Sequence, residues 1–149
     1  MSLTAGQIPR VANVLNGSVA KLSGSFNSSS LGSDTNGVTA YTAGASGSRV
    51  ISVMGSTDDT VASTVYVWIN RSSTVIPVGT VPIALSSGNT SAARNIDFLN
   101  GTNLPGLPVD NTGRQYIPLL PNDTLRVGSS GSLSSNRSCY IAAHGLDYQ

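Results

Sequence analysis

The sequence predicts an all-β protein, and its composition and its apolar pattern carry that prediction. The 149 residues include no glutamate and a single lysine, Lys21, while Ser, Thr, Asn and Gly are abundant. Glutamate and lysine are good helix formers, whereas Ser, Asn and Gly favour turns and caps. The apolar residues fall into short runs rich in β-branched and aromatic side chains, which suit a pleated, half-buried surface. We therefore expect a single β-sandwich or jelly roll of about eight or nine short antiparallel strands, with an extended N-terminal arm.

The strands are centred on residues 49–71, which hold two apolar runs separated by a polar turn. In the second run Tyr66 and Trp68 face one side of the strand, while three aliphatic residues face the other. Apolar side chains on both faces indicate a strand that is covered on both sides. We interpret this stretch as the central hairpin or strand pair of the domain, with Trp68 buried between two sheets.

The remaining strands follow from shorter apolar runs bounded by Gly, Pro, Asn and Ser. They are predicted, in chain order, at residues 19–22, 38–42, 75–85, 95–99, 115–119, 124–127 and 138–143. Pro77 and Pro82 cannot donate to a ladder, so the strand at 75–85 is expected at a sheet edge or with a bulge. Residues 70–74 are expected to form the hairpin connection into it.

The N-terminal residues 1–16 are predicted to form an arm, and residues 17–149 the sandwich domain. The arm contains apolar side chains but too few to build a core of its own. We expect it to extend and pack on a neighbouring subunit, and an edge strand of the same domain is the alternative. The candidate assembly contacts are Ile8, Pro9, Arg10, Val11, Val14 and Leu15.

Length and charge limit the classes of function. A chain of this size can bury a core without disulfides, and Cys139, the single cysteine, cannot form an internal framework. Only 10% of the residues are charged and the basic ones are scattered singly, so we expect no nucleic-acid partner. The most apolar stretch is too short to span a membrane, so we expect no membrane partner. The N-terminus lacks the basic and apolar regions of a signal peptide, which predicts synthesis in the cytoplasm.

The residues that could carry chemistry do not form a catalytic pattern. His144 is the only histidine, and it should face away from Cys139 because the two are five positions apart in or beside one strand. Asp58-Asp59, residues 34–37 and Asp110-Asn111 resemble fragments of calcium loops, but no glutamate completes them and turn chemistry explains them. Tyr66 and Trp68 could form a stacking platform, although core packing is favoured. We expect no enzyme, no metal and no cofactor.

Several segments resemble a known class of proteins. They are residues 42–50 (TAGASGSRV), 66–70 (YVWIN), 104–108 (LPGLP) and 120–127 (LPNDTLRV). Their order is similar to that in small structural proteins of tailed bacteriophages, and most similar to jelly-roll capsid cement or decoration proteins.

The resemblance implies a virion protein on the capsid surface, made in the cytoplasm of the bacterial host. Its implied partners are the major capsid protein and itself, as a homodimer or homotrimer. A phage tail, baseplate or fibre module is one alternative, and a carbohydrate-binding accessory domain is another.

Overall fold

The structure is a computed structural model that describes residues 14–23 and 37–148, and those residues contain strands and loops but no helix. The strands are β1 (Val14–Ser23), β2 (Val38–Thr42), β3 (Ser48–Thr57), β4 (Ser63–Arg71), β5 (Thr74–Ile83), β6 (Ile96–Asp97), β7 (Ile117–Leu119), β8 (Thr124–Ser129) and β9 (Ser138–Asp147). Without helices, these two ranges hold none that could cross a membrane. The prediction of an all-β fold is confirmed.

The strands form two sheets. Sheet A has the order β1-β9-β3-β6, with β7 also pairing with β3, and sheet B has the order β2-β8-β4-β5. Every pairing between these strands is antiparallel. The aliphatic side chains of both sheets point toward each other and bury a continuous core, so the predicted β-sandwich is confirmed.

The pairing is nested along the chain. The first strand pairs with the last, β2 pairs with β8, β3 pairs with β6 and β7, and β4 pairs with β5. The chain therefore runs as one long hairpin, wound so that its successive strand pairs lie alternately in sheets A and B.

The predicted pairing of the two central runs is wrong. The first run is β3 in sheet A and the second is β4 in sheet B, so the two strands are not hydrogen-bonded to each other. Val53 of β3 and Val67 of β4 both lie in the common core. The polar stretch between the strands is thus a crossover between sheets rather than a hairpin turn.

Trp68 is fully buried, as expected, but not between the sheets. Its neighbours Val67 and Ile69 belong to the core, so alternation turns Trp68 to the outer face of sheet B. There it lies opposite Arg126 of β8 and against the backbone at Gly37. The predicted burial of Trp68 is confirmed. The predicted position between the two sheets is wrong, because the ring lies on the outer face of sheet B.

The edges of the sheets follow the sequence signals. The strand β5 lies at the edge of sheet B, and its register with β4 shifts between Val67 and Trp68, as Pro77 and Pro82 predict. Ser72 and Ser73 adopt positive φ angles of 45° and 72° in the turn that joins the two strands. These values match the type I′ geometry of a two-residue hairpin.

Several strands differ in length from the prediction, among them β1 and β6. The strand β1 covers ten residues instead of the four at 19–22, and so includes the last three residues of the predicted arm. The strand β6 covers only Ile96 and Asp97. Its early end has a local cause, since the Asp97 carboxylate accepts the backbone N–H of Leu99 at 2.9 Å and turns the chain.

Candidate functional site

Two of the six candidate assembly contacts lie within the described residues. Val14 and Leu15 begin β1 at the edge of sheet A, where they pair with Asp147 and Leu146 of β9. Their side chains are 45% and 66% exposed. Ile8, Pro9, Arg10 and Val11 fall outside the described residues, so the arm and its contacts stay a prediction.

Leu15 belongs to a larger apolar surface, the outer face of sheet A. The register of β1 and β9 places Leu15 beside Leu146 and Val19 beside Ala142 on this face. Met54 of β3 lies across from Ala142 on the other side of β9. Four large apolar side chains of the outer face are more than a third exposed: Leu15, Val19, Ile51 and Tyr140. Exposed apolar residues gathered on one sheet face are a feature of interaction surfaces.

The outer face of sheet A carries few charged side chains: Lys21 of β1, and Arg49 of β3, which lies opposite Leu146. Lys21 lies at its end, with its ammonium 5.8 Å from the centre of the Tyr140 ring, within the range of a cation–π contact. His144 lies across from Gly17, so close that a Cβ at Gly17 would be 2.7 Å from the His144 Cδ2 atom. The absence of a side chain at position 17 thus allows the imidazole to lie flat over β1.

A groove of about 610 Å³ runs beside β3 on the same side of the molecule. Its walls include Ile51 and Met54 from β3, Asp97 from β6, and Arg114 from the connection between β6 and β7. None of its lining residues is aromatic. A sugar would therefore find hydrogen-bonding groups there but no ring for stacking.

A polar network ties four strands together at one end of the sandwich. Asp147 of β9 accepts hydrogen bonds from the Tyr41 hydroxyl at 2.6 Å, the Ser48 hydroxyl at 2.5 Å and the Asn16 amide at 3.1 Å. Burial alone would raise the pKa of Asp147, but these donors outweigh it and hold the pKa below its usual value. Burial and the nearby carboxylate raise the pKa of Tyr41. The network fixes the start of β1 through Asn16.

Two of the four segments singled out in the sequence, residues 42–50 and 120–127, meet near this end. Asp123 accepts the N–H of Ala43 through its backbone carbonyl at 2.9 Å. Its carboxylate accepts hydrogen bonds from the Arg71 guanidinium, which holds the pKa of Asp123 below its usual value. Arg71 directly follows a third segment, residues 66–70. Asp123 thus joins two other parts of the chain to the turn before β8.

Where the structure describes them, the acidic residues of the suspected calcium loops are occupied by hydrogen bonds within turns and to neighbouring loops. Asp59 accepts the Val61 N–H at 3.1 Å and both the backbone and hydroxyl of Ser134, at 2.8 and 2.6 Å. Asp110 accepts the N–H groups of Thr112 and Arg114. Residues 34–36 fall outside the described part of the chain, and in the rest no three His, Cys, Asp or Glu groups are placed to hold a metal ion.

Cys139 and His144 lie on opposite faces of β9, as their spacing predicts. Cys139 points into the core and His144 is exposed on the outer face of sheet A. Burial, together with the charges of Asp58 and Asp59, raises the pKa of the Cys139 thiol to about 12. The thiolate needed for nucleophilic chemistry is therefore strongly disfavoured at neutral pH.

The sequence interpretation missed two parts of this surface. Val19 was assigned to a strand without a role, because its exposure depends on its position at a sheet edge. Tyr140 joins the outer face only through the pairing of β1 with β9, between residues far apart in the chain. An alternation of apolar and polar residues along β1 and β9 was the available signal, but it does not say which face meets solvent.

Comparison with known proteins adds no relative to this description: no protein-family model matches the chain, and no curated protein sequence matches it.

Proposed function

We propose that this protein is a structural component of a phage virion, a jelly-roll cement or decoration protein that binds the outside of the capsid. In this role it contacts the major capsid protein and stabilises the junctions between capsomers. It acts without catalysis, as a homo-oligomer, after synthesis in the bacterial cytoplasm.

The observation that carries the proposal is the outer face of sheet A. A charge-poor sheet face with exposed Leu15, Val19 and Tyr140 has the character of the buried centre of a protein–protein interface. Val14 and Leu15 connect this face directly to residues 1–13, whose apolar side chains were predicted to dock on a neighbour. An arm and a face joined in this way can bind one partner together.

The strand order supports the jelly-roll part of the proposal. A jelly roll consists of two interlocked Greek keys. That arrangement gives nested antiparallel strand pairs in two layers with four strand positions each, as found in sheets A and B. The short strands β6 and β7 share the fourth position of sheet A beside β3.

The fixed connections also suit a structural role. Asp59, Asp123 and Asp147 each join distant parts of the chain through several hydrogen bonds. Such ties hold loops in one shape, which a protein needs if it is to match a rigid lattice. The Trp68 ring, by contrast, is buried, so the aromatic platform expected of a carbohydrate-binding domain is not available at that residue.

The proposal is tested on intact particles from the phage that carries the gene. Antibody labelling in electron microscopy should place the protein on the head, and quantitative mass spectrometry should give a copy number that matches the shell lattice. Labelling confined to the tail would support the tail-module alternative instead. Absence of the protein from purified particles would overturn the virion role.

A truncation then tests the arm. A protein lacking residues 1–10 should fold with a nearly unchanged melting temperature and should no longer bind particles stripped of the native protein. The full-length protein, added at the same concentration, is the positive control. Normal binding by the truncated protein, or loss of its fold, would contradict the assembly role of the arm.

A further inference from the structure

The two sheets present four edges, and three of them are protected against pairing with another strand. In sheet B, β2 has only five residues and a register shift, and β5 contains two prolines and a register shift. In sheet A, β6 and β7 have two and three residues, and the centre of β7 is Pro118. Short strands, bulges and prolines are the usual means of blocking an open edge.

The fourth edge, β1, has none of these features. It pairs with β9 over ten residues without a register shift, and it contains no proline. Within the described residues, no strand pairs with its other side. A long regular edge of this kind offers a row of backbone N–H and C=O groups to another strand.

The exposed residues of β1 are arranged symmetrically about Gly17. Leu15 and Val19 flank it at equal distance on the outer face, and they are 66% and 62% exposed. Asn16 and Ser18 flank it on the other face. About a two-fold axis at Gly17 such a pattern is self-complementary, because the same strand then meets itself in the opposite direction.

We propose that two copies of the protein pair through β1, antiparallel about a two-fold axis at Gly17, so that sheet A continues through a dimer. Directly opposed residues share a face in an antiparallel pair, so Leu15 meets the partner's Val19 and Val19 meets the partner's Leu15. The paired segment, residues 14–20, carries no charged side chain. This dimer is a specific form of the self-association that the proposed function includes. It rests on that self-association and not on capsid binding.

Neighbouring registers are less favourable. An axis at Ser18 would place Leu15 opposite the partner's Lys21, and an axis at Val19 would place it opposite the partner's Ser23. Both arrangements leave an exposed apolar side chain against a polar one. Gly17 at the axis also brings the two backbones together where neither has a side chain.

The first test is the mass of the full-length protein in solution, measured by light scattering after size-exclusion chromatography. We expect a dimer for the wild type and at least tenfold weaker dimerisation for Val19→Lys. Val61→Lys is the matched control, because Val61 is 60% exposed and lies in the connection between β3 and β4. Circular dichroism confirms that both variants keep their strands. A monomeric or trimeric wild type, or equal dimerisation of the two variants, would overturn the proposal.

A second test reads the register and does not depend on the lysine variant. The double variant Leu15→Cys, Val19→Cys should form an oxidised dimer, since each cysteine faces its counterpart across the axis. The single variant Val19→Cys should cross-link much less under the same conditions, and the buried Cys139 should not compete. Efficient cross-linking by the single variant would overturn the axis at Gly17. Both tests use free protein, so they fail or succeed separately from capsid binding.

Discussion

Arg71 binds both carboxylate oxygens of Asp123, with Nε 3.0 Å from Oδ1 and Nη2 2.7 Å from Oδ2. The pair joins the end of β4 to the turn between β7 and β8. Asp123 is buried, with 1% of its side chain exposed, whereas the Arg71 side chain is 38% exposed. The Arg71 side of this ion pair is therefore partly exposed to solvent, which limits the contribution of the pair to stability.

Replacement of Arg71 by methionine should lower the stability of the protein, because it removes charged hydrogen bonds from the buried Asp123 carboxylate. The Leu120 N–H, 2.8 Å from Oδ2, would remain as a donor to Asp123. Arg94→Met is the matched control at an exposed loop arginine and should change stability by less than about 0.5 kcal/mol. Urea denaturation measures both, and equal midpoints would show that the pair is dispensable.

The Asp147 network should make the stability of the protein depend on pH in the acid range. The pKa of Asp147 is lower in the folded state than its unfolded value of about 4. Its contribution is therefore complete above that value and is lost as the pH falls through the folded-state pKa.

Asp147→Asn tests this dependence. The variant should be less stable at pH 7 and should lose less additional stability than the wild type between about pH 5 and pH 2. Hydrogen exchange at Asn16 and Gly17 should quicken in the variant, because the amide of Asn16 loses its charged acceptor. Parallel pH profiles for the two proteins would exclude Asp147 as the titrating group.

Gly37 should be required for the burial of Trp68. A Cβ atom at position 37 would overlap the six-membered ring of Trp68, so Gly37→Ala must displace the indole or the backbone that covers it. We expect red-shifted tryptophan emission and a loss of about 1–3 kcal/mol. Gly101→Ala, where nothing lies within 4 Å of the added atom, should leave both unchanged. Native emission in the Gly37→Ala variant would disprove the close contact.

Cys139 should react with thiol reagents only when the protein unfolds. It is fully buried and its pKa is raised to about 12, so neither access nor ionisation favours the reaction in the folded state. The labelling rate should increase with urea in parallel with unfolding measured by circular dichroism. Rapid labelling at neutral pH without denaturant would contradict the burial of Cys139.

The strands could be predicted from the sequence because their signals are local. Pro77 and Pro82 indicated an edge or a bulge, and the apolar residues on both faces of residues 65–69 indicated a strand that is covered on both sides. The choice of sheet could not be predicted in this way, since β3 and β4 have the same apolar character and differ only in which distant strands they pair with. The same limit placed Trp68 on the wrong side of its sheet.

The hydrogen bonds that join distant residues in the candidate site could not be predicted either. Tyr41, Ser48 and Asp147 meet only because β2, β3 and β9 end at the same side of the sandwich, and no spacing in the sequence indicates it. The apolar character of Val14 and Leu15 was visible, but their exposure depends on β1 being an edge strand. The pattern along a chain shows which residues share a face of a strand. Contacts between strands decide whether that face packs in the core or is exposed to solvent.

The nested pairing has a consequence for the order in which the protein folds. The pair β4–β5 is a tight hairpin and can form first, since closing a short loop loses little chain entropy. Each surrounding pair must close a longer loop, and Asn16 and Asp147, which meet in the outermost pair, are 131 residues apart. We expect β1 to dock last and to detach first, which pulse-labelling hydrogen exchange would resolve as late protection of its amides. An unassembled protein would then expose its longest open edge for the longest time, so the strand best suited to join two copies is also the one most prone to aggregate during folding.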